Sequence, residues 1–157
     1  MISDDLMKQT LQTSKIIAMV GASVPKENEG VAKMRLKPSI IVMKYLLEFG
    51  YKVIPVNPFS VGKKVNGETI VEKLEDISSQ IDIVNVFRPS KETPDIAKKA
   101  IKVGAKTLWL QFGIQNNEAE KISKSAGLTC IMNKCIKQEY QRLFLKMKPV
   151  FPVLLNN

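Results

Sequence analysis

The stretch Ile16-Ile17-Ala18-Met19-Val20-Gly21-Ala22-Ser23 decides the fold. Five consecutive apolar residues carry no period-2 alternation, so the run reads as a strand buried on both faces, as in a parallel sheet. Gly21 then permits a tight turn, and the small residues after it let backbone approach a phosphate. The pattern recurs downstream. Val53 to Val56, Ile81 to Phe87, Thr107 to Gln111 and Leu128 to Met132 read as four more strands.

Helical segments separate them. Ser3 caps a short first helix with Asp4 and Asp5 in its first turn and Leu6, Met7 and Leu11 on one side. Ser39 is positioned to cap a second helix that is apolar over most of its circumference and closes at Gly50. Val71, Leu74 and Ile77 suggest a short helix. Thr93 and Pro94 open a further one, as cap and first residue, that ends at Gly104. Helices over Glu118 to Ala126 and Ile136 to Lys146 complete the alternation; Ala22 to Pro38 and Val61 to Gly67 read as loops, and Pro149 to Asn157 as an apolar tail. Strands alternating with helices require right-handed crossovers and a parallel sheet covered on both faces. The expected fold is therefore α/β, a Rossmann-like three-layer sandwich with a mainly parallel five-stranded sheet in the order 3-2-1-4-5. That order puts the topological switch, and the ligand, between the first and fourth strands.

Bulk properties fit one domain over residues 1–157, with its core at about 15–146. The 45% apolar and 25% charged shares are ordinary for a globular chain. No apolar run approaches the roughly 20 residues that span a bilayer, so no membrane partner is expected. The acidic opening Met1-Ile2-Ser3-Asp4-Asp5 lacks a signal-peptide pattern, and the expected compartment is cytoplasmic. The two cysteines, Cys130 and Cys135, are too few for a zinc site or disulfide framework. With no histidine in the chain, a Ser-His-Asp triad, a phosphohistidine and most catalytic metal sites are excluded; no catalytic residues and no metal are expected. The net charge of +9 favours anionic partners. Nucleic acid is not the expected one, because only Arg35, Arg88 and Arg142 are arginines and the lysines are spread along the chain.

The turn after the first strand lacks the second and third glycines of a dinucleotide fingerprint, and Asn57 stands where that fingerprint has an acid for the ribose hydroxyls. NAD is thereby disfavoured. Beyond this, Val20-Gly21-Ala22-Ser23, Lys37-Pro38-Ser39, Ile54-Pro55-Val56-Asn57-Pro58, Asp82 to Arg88, Leu108-Trp109-Leu110-Gln111 and Met132-Asn133-Lys134-Cys135 stand in order at Rossmann spacing. Together they resemble the CoA-binding domain family of small bacterial proteins, over about Ile16 to Leu143. The loop between Ser23 and Lys37 is several residues longer than that family's pattern.

The resemblance implies a Rossmann-like domain holding coenzyme A or an acyl-CoA, related to the CoA-binding part of the succinyl-CoA synthetase α chain. Those ligases use a phosphorylated histidine, which this chain lacks, so the resemblance implies a binding module without catalysis. Carried over, Gly21, Ala22 and Ser23 would contact phosphates, with Lys37 standing where the family has arginine. Asn57, Pro58, Phe87 and Arg88 would flank the nucleotide and pantetheine arm. Gln111 and Gly113 would meet the ligand as they leave the fourth strand. Cys135, before a helix start, would lie near the CoA thiol and form a mixed disulfide, or else be a half-buried inert thiol. Lys63 and Lys64 would reach the 3′-phosphate or form a solvated loop, and Trp109 would pack in the core. The alternative function is an NAD(P)-dependent oxidoreductase or other nucleotide-binding enzyme. A homo-oligomer or protein partner stays open.

Overall fold

The computed structural model describes residues 2–24 and 37–147. The extended loop and the apolar tail noted in the sequence therefore lie outside the described residues. The main sheet has five parallel strands: β1 (Ile16–Val20), β2 (Lys52–Val56), β3 (Ile83–Val86), β4 (Thr107–Leu110) and β5 (Thr129–Ile131). Helices α1 (Asp4–Thr13), α2 (Pro38–Glu48), α3 (Thr93–Lys102), α4 (Asn117–Ser125) and α5 (Ile136–Phe144) pack around it.

Each helix buries an apolar stripe against one sheet face. Met7, Leu11, Val42, Met43, Leu46 and Ile136 join Met19, Trp109 and Ile131 on one side. On the other, Ile96, Ala97, Ala100 and Ala119 meet Ala18, Val84, Val86 and Leu108. This is the three-layer α/β architecture expected from the uninterrupted apolar runs. Ser3 does cap α1, its side chain accepting from the Leu6 N–H. An Arg142 fork on Asp4, at 2.8 and 2.9 Å, ties α1 to α5.

The strand order corrects the expectation. The sheet runs 2-1-3-4-5, not 3-2-1-4-5, so β3 lies beside β1 on the side away from β2. The reason lies in the connection after β2. No α-helix forms there; the chain makes a small hairpin, Lys64–Val65 against Glu68–Thr69, and a 3-10 turn at Leu74–Asp76. Between these, Val71 runs along the free edge of β2: its N–H bonds to the Pro55 carbonyl at 3.0 Å, and its carbonyl accepts from Asn57 N–H at 3.0 Å. The edge on which a third strand would add is thus taken. Pro55 suits this edge strand, where a missing N–H costs least. β3, buried at all four positions, takes the centre.

Two helix starts also differ from expectation. α2 begins at Pro38 with Lys37 as its N-cap, and Ser39 is used elsewhere. α3 follows a 3-10 turn at Ser90–Glu92, with Glu92 at its N-cap; the Thr93 hydroxyl donates to the Ser90 carbonyl at 2.7 Å.

Candidate functional site

In a 2-1-3-4-5 sheet the topological switch falls between β1 and β3, and a crevice opens over their carboxyl ends. This moves the expected site one strand over, from β1/β4 to β1/β3. Gly21 leaves β1 with φ +84°, a conformation open to glycine and costly for other residues. Phe87 and Arg88 leave β3 directly opposite. A Cβ on residue 21 would stand 2.7 Å from the Phe87 carbonyl oxygen and 2.8 Å from Arg88 Cδ, so the Arg88 arm lies on the bare glycine backbone.

The loop after β1 is tied down internally. Gly21 and Ala22 direct their N–H groups to the Val56 carbonyl, at 3.0 and 3.4 Å, and the Ser23 N–H donates to Ser39 Oγ at 2.9 Å. Asn57 Nδ2 donates to the Ala22 carbonyl at 2.9 Å, and Lys37 Nζ to the Val24 carbonyl at 2.9 Å. The backbone amides expected to cradle phosphate are therefore committed to the protein. The space above them is bounded by side chains, among which Arg88 carries a planar fork suited to phosphate oxygens.

Two cavities flank this crevice. One, of about 360 Å³ on the α3 side, is lined by Gly21, Asn57, Pro58, Phe59 and Arg88 over an aliphatic floor. The other, of about 370 Å³ on the α2/α5 side, is lined by Phe87, Arg88, Gln111, Phe112, Cys135 and Gln138. Each has the volume of a small-molecule pocket. Arg88 borders both. Its guanidinium pairs with Glu92, Nη2 to Oε2 at 2.8 Å and Nε to Oε2 at 3.1 Å, with both side chains about two-fifths exposed.

Seven of the eleven sequence-derived site residues thus line one cavity or both. Ala22, Ser23, Lys37 and Gly113 line neither. Gly113 has φ +85° and gives its N–H to Asn133 Oδ1 at 2.7 Å, which makes it a turn residue. Lys63 and Lys64 are exposed and border neither cavity. Trp109 is fully buried, its indole N–H bonded to the Lys134 carbonyl at 2.8 Å, as expected of a core residue.

Beneath the second cavity, Gln111 Oε1 accepts from the Ile136 N–H at 3.0 Å and from Asn85 Nδ2 at 3.1 Å. Gln111 thereby satisfies one of the orphan donors at the start of α5 and fixes Cys135, the N-cap residue, against the cavity wall. Cys135 is 3% exposed. Cys130, on the α3/α4 side, is a buried thiol pushed up to about 11 by that burial and borders neither cavity. Sequence reasoning missed Phe59, Glu92 and Asn85. Only Asn85 carried a signal, as a lone amide inside an apolar strand.

A family model described as CoA binding domain matches residues 15–141. The chain belongs to the CoA-binding domain family. Within reach of that family, it is 38% identical over 131 residues to the uncharacterized protein YneT of Bacillus subtilis (strain 168), which covers 83% of this chain and 89% of that one. A solved structure from Thermus thermophilus is 34% identical with a TM-score of 0.81, covering 91% of this chain and 100% of that one. A hypothetical protein from Pyrococcus horikoshii OT3 is 38% identical with a TM-score of 0.78, covering 90% and 92%. The CoA-binding domain assignment spans all five strands and both cavity walls, and implies a small-molecule ligand. No helix among the described residues is long and apolar enough to cross a membrane.

Proposed function

We propose that this domain binds coenzyme A, free or as an acyl ester, without turning it over. The adenosine occupies the α3-side cavity, the diphosphate lies at the partly exposed Arg88 guanidinium where the two cavities meet, and the pantetheine arm enters the second cavity toward Cys135. One observation carries the assignment: Arg88, laid on a glycine that tolerates no Cβ, is the residue common to both cavities. A ligand with an anionic centre and two less polar arms fits that layout, and the family match supports coenzyme A as its chemistry.

Gly21 lets the Arg88 arm lie against the backbone, Arg88 supplies the charge, and Asn57 holds the first two loops together. Phe87 and Gln111 bound the path of the arm. The absence of histidine throughout the sequence supports a role in binding, since no ordinary proton shuttle or phosphoryl acceptor of that type is available. When bound, coenzyme A supplies a thiol that carries acyl groups.

The NAD(P) alternative is less well supported. Asn57, where an acid would hold ribose hydroxyls, has its Nδ2 on the Ala22 carbonyl and its Oδ1 on the Phe59 N–H at 2.9 Å. Its amide is occupied at both ends. Equilibrium dialysis against CoA and acetyl-CoA, with the ligand then recovered and identified by mass, tests the proposal. One equivalent bound and returned unaltered is expected; no binding of either, or conversion of the ester, contradicts it.

A further inference from the structure

We infer that Phe59 is the base-recognition platform of this site, its ring covering the adenine of the bound nucleotide in the α3-side cavity. The inference rests on the coenzyme A proposal above and adds the residue that reads the base. At 89% exposure, Phe59 is the most exposed large apolar side chain among the described residues. Single exposed apolar residues are common on protein surfaces, so exposure alone carries nothing. The backbone beneath it is what distinguishes this one.

The Phe59 N–H donates to Asn57 Oδ1 at 2.9 Å, and the same Asn57 side chain holds the Ala22 carbonyl. Ser60, which follows, is buried and donates its N–H to the Asn57 carbonyl at 3.2 Å. The turn is thus anchored to the loop after β1, and an aromatic ring is held in water at the rim of a cavity. A ligand seated in that cavity would bury the ring against its own surface.

The cavity lining suits an occupant without net charge. Val20, Val56, Leu74 and Ile96 give it an aliphatic floor. Glu72, Glu92 and Asp95 stand against Lys73, Arg88 and Lys99, so its charged lining sums to zero. Lys99 is paired to Asp95 at 3.1 Å and Arg88 to Glu92. Such a lining suits a purine whose edge offers both donors and acceptors. A phosphate would meet as many carboxylates as cations there.

Because Phe59 is exposed and its ring is unneeded for the core, Phe59→Ala is expected to fold normally. Isothermal titration of the wild type, Phe59→Ala and Phe59→Tyr with CoA and with 4′-phosphopantetheine tests the role. Base–aromatic stacking predicts that Phe59→Ala weakens CoA by about tenfold, leaves 4′-phosphopantetheine unchanged, and that Phe59→Tyr binds as the wild type does. In Phe59→Trp, the introduced indole should be quenched by CoA and not by 4′-phosphopantetheine, Trp109 being fully buried. Equal CoA affinity in Phe59→Ala and wild type, or equal losses for both ligands, overturns the inference while leaving the coenzyme A proposal in place. A wild type that binds no CoA removes the proposal itself.

Discussion

Gly21 and Arg88 are packed so closely that a single methyl group on residue 21 would fall 2.8 Å from Arg88 Cδ. The φ of +84° adds strain for any L side chain. Gly21→Ala should therefore lower stability by about 1–3 kcal/mol, the usual cost of a residue forced into a sparsely populated backbone region. It should also displace the Arg88 arm and weaken CoA binding by more than the stability loss explains. Urea titration paired with calorimetric binding of the folded variant measures both; an unchanged affinity would separate Gly21 from the ligand.

Glu92 competes with any anion for Arg88. The pair is partly exposed, so its contribution to stability is small, within about 0–1 kcal/mol. Glu92→Gln should leave the unfolding midpoint nearly unmoved and tighten CoA binding a few-fold by releasing the guanidinium. Arg88→Lys should weaken binding despite keeping the charge, because the bidentate fork is lost. Titration calorimetry on the two variants checks this, and a weaker-binding Glu92→Gln would reverse the role assigned to that carboxylate.

Asp82 gives the fold a pH dependence remote from the site. Burial alone would raise its pKa, but N–H donors from Ile16 and Lys15, at 3.0 and 2.8 Å, and the Lys106 ammonium at 3.4 Å outweigh burial and hold it below the usual carboxylate range. A folded pKa depressed below the unfolded value contributes stability that is complete above about pH 4 and is lost as pH falls through the folded value. Asp82→Ala should cost about 1–3 kcal/mol at pH 7 by orphaning those donors. Its stability should also fall less steeply than the wild type's between pH 5 and pH 2, as read by urea midpoints across that range.

Strand existence was legible because each buried strand is a short, mostly apolar run with a Gly, Pro or Asn within three residues of its end, and Gly21, Arg88 and Asn57 follow directly from where those runs stop. Strand order was not. An apolar run states that a strand is buried and says nothing about its neighbour; the deciding contact, Val71 on the edge of β2, is made by a residue in no regular strand. The phosphate-loop amides were misjudged for a related reason. Ser39 reads as a helix cap in sequence, whereas in space its hydroxyl takes the Ser23 N–H. Phe59 gave no local signal, since an exposed aromatic after Asn-Pro is visible only once the cavity beside it is formed.

Cys135 offers a test of which way the ligand points, since it lines the second cavity. Its sulfur can displace one CoA thiolate from CoA disulfide, forming a protein–CoA disulfide, if the arm enters the second cavity. Intact-mass analysis after exposure to CoA disulfide should show one adduct in the wild type and in Cys130→Ser, and none in Cys135→Ser. An adduct that survives in Cys135→Ser would place the thiol end elsewhere.

Thermal denaturation with CoA and with NAD, side by side, bears most directly on the central assignment. At a hundred times its dissociation constant a ligand adds about 2.7 kcal/mol, a rise of roughly 5–11 °C in Tm for a domain of this size. The two-cavity crevice joined at Arg88 predicts such a rise with CoA and none with NAD; a rise with NAD alone, or with neither, would contradict it.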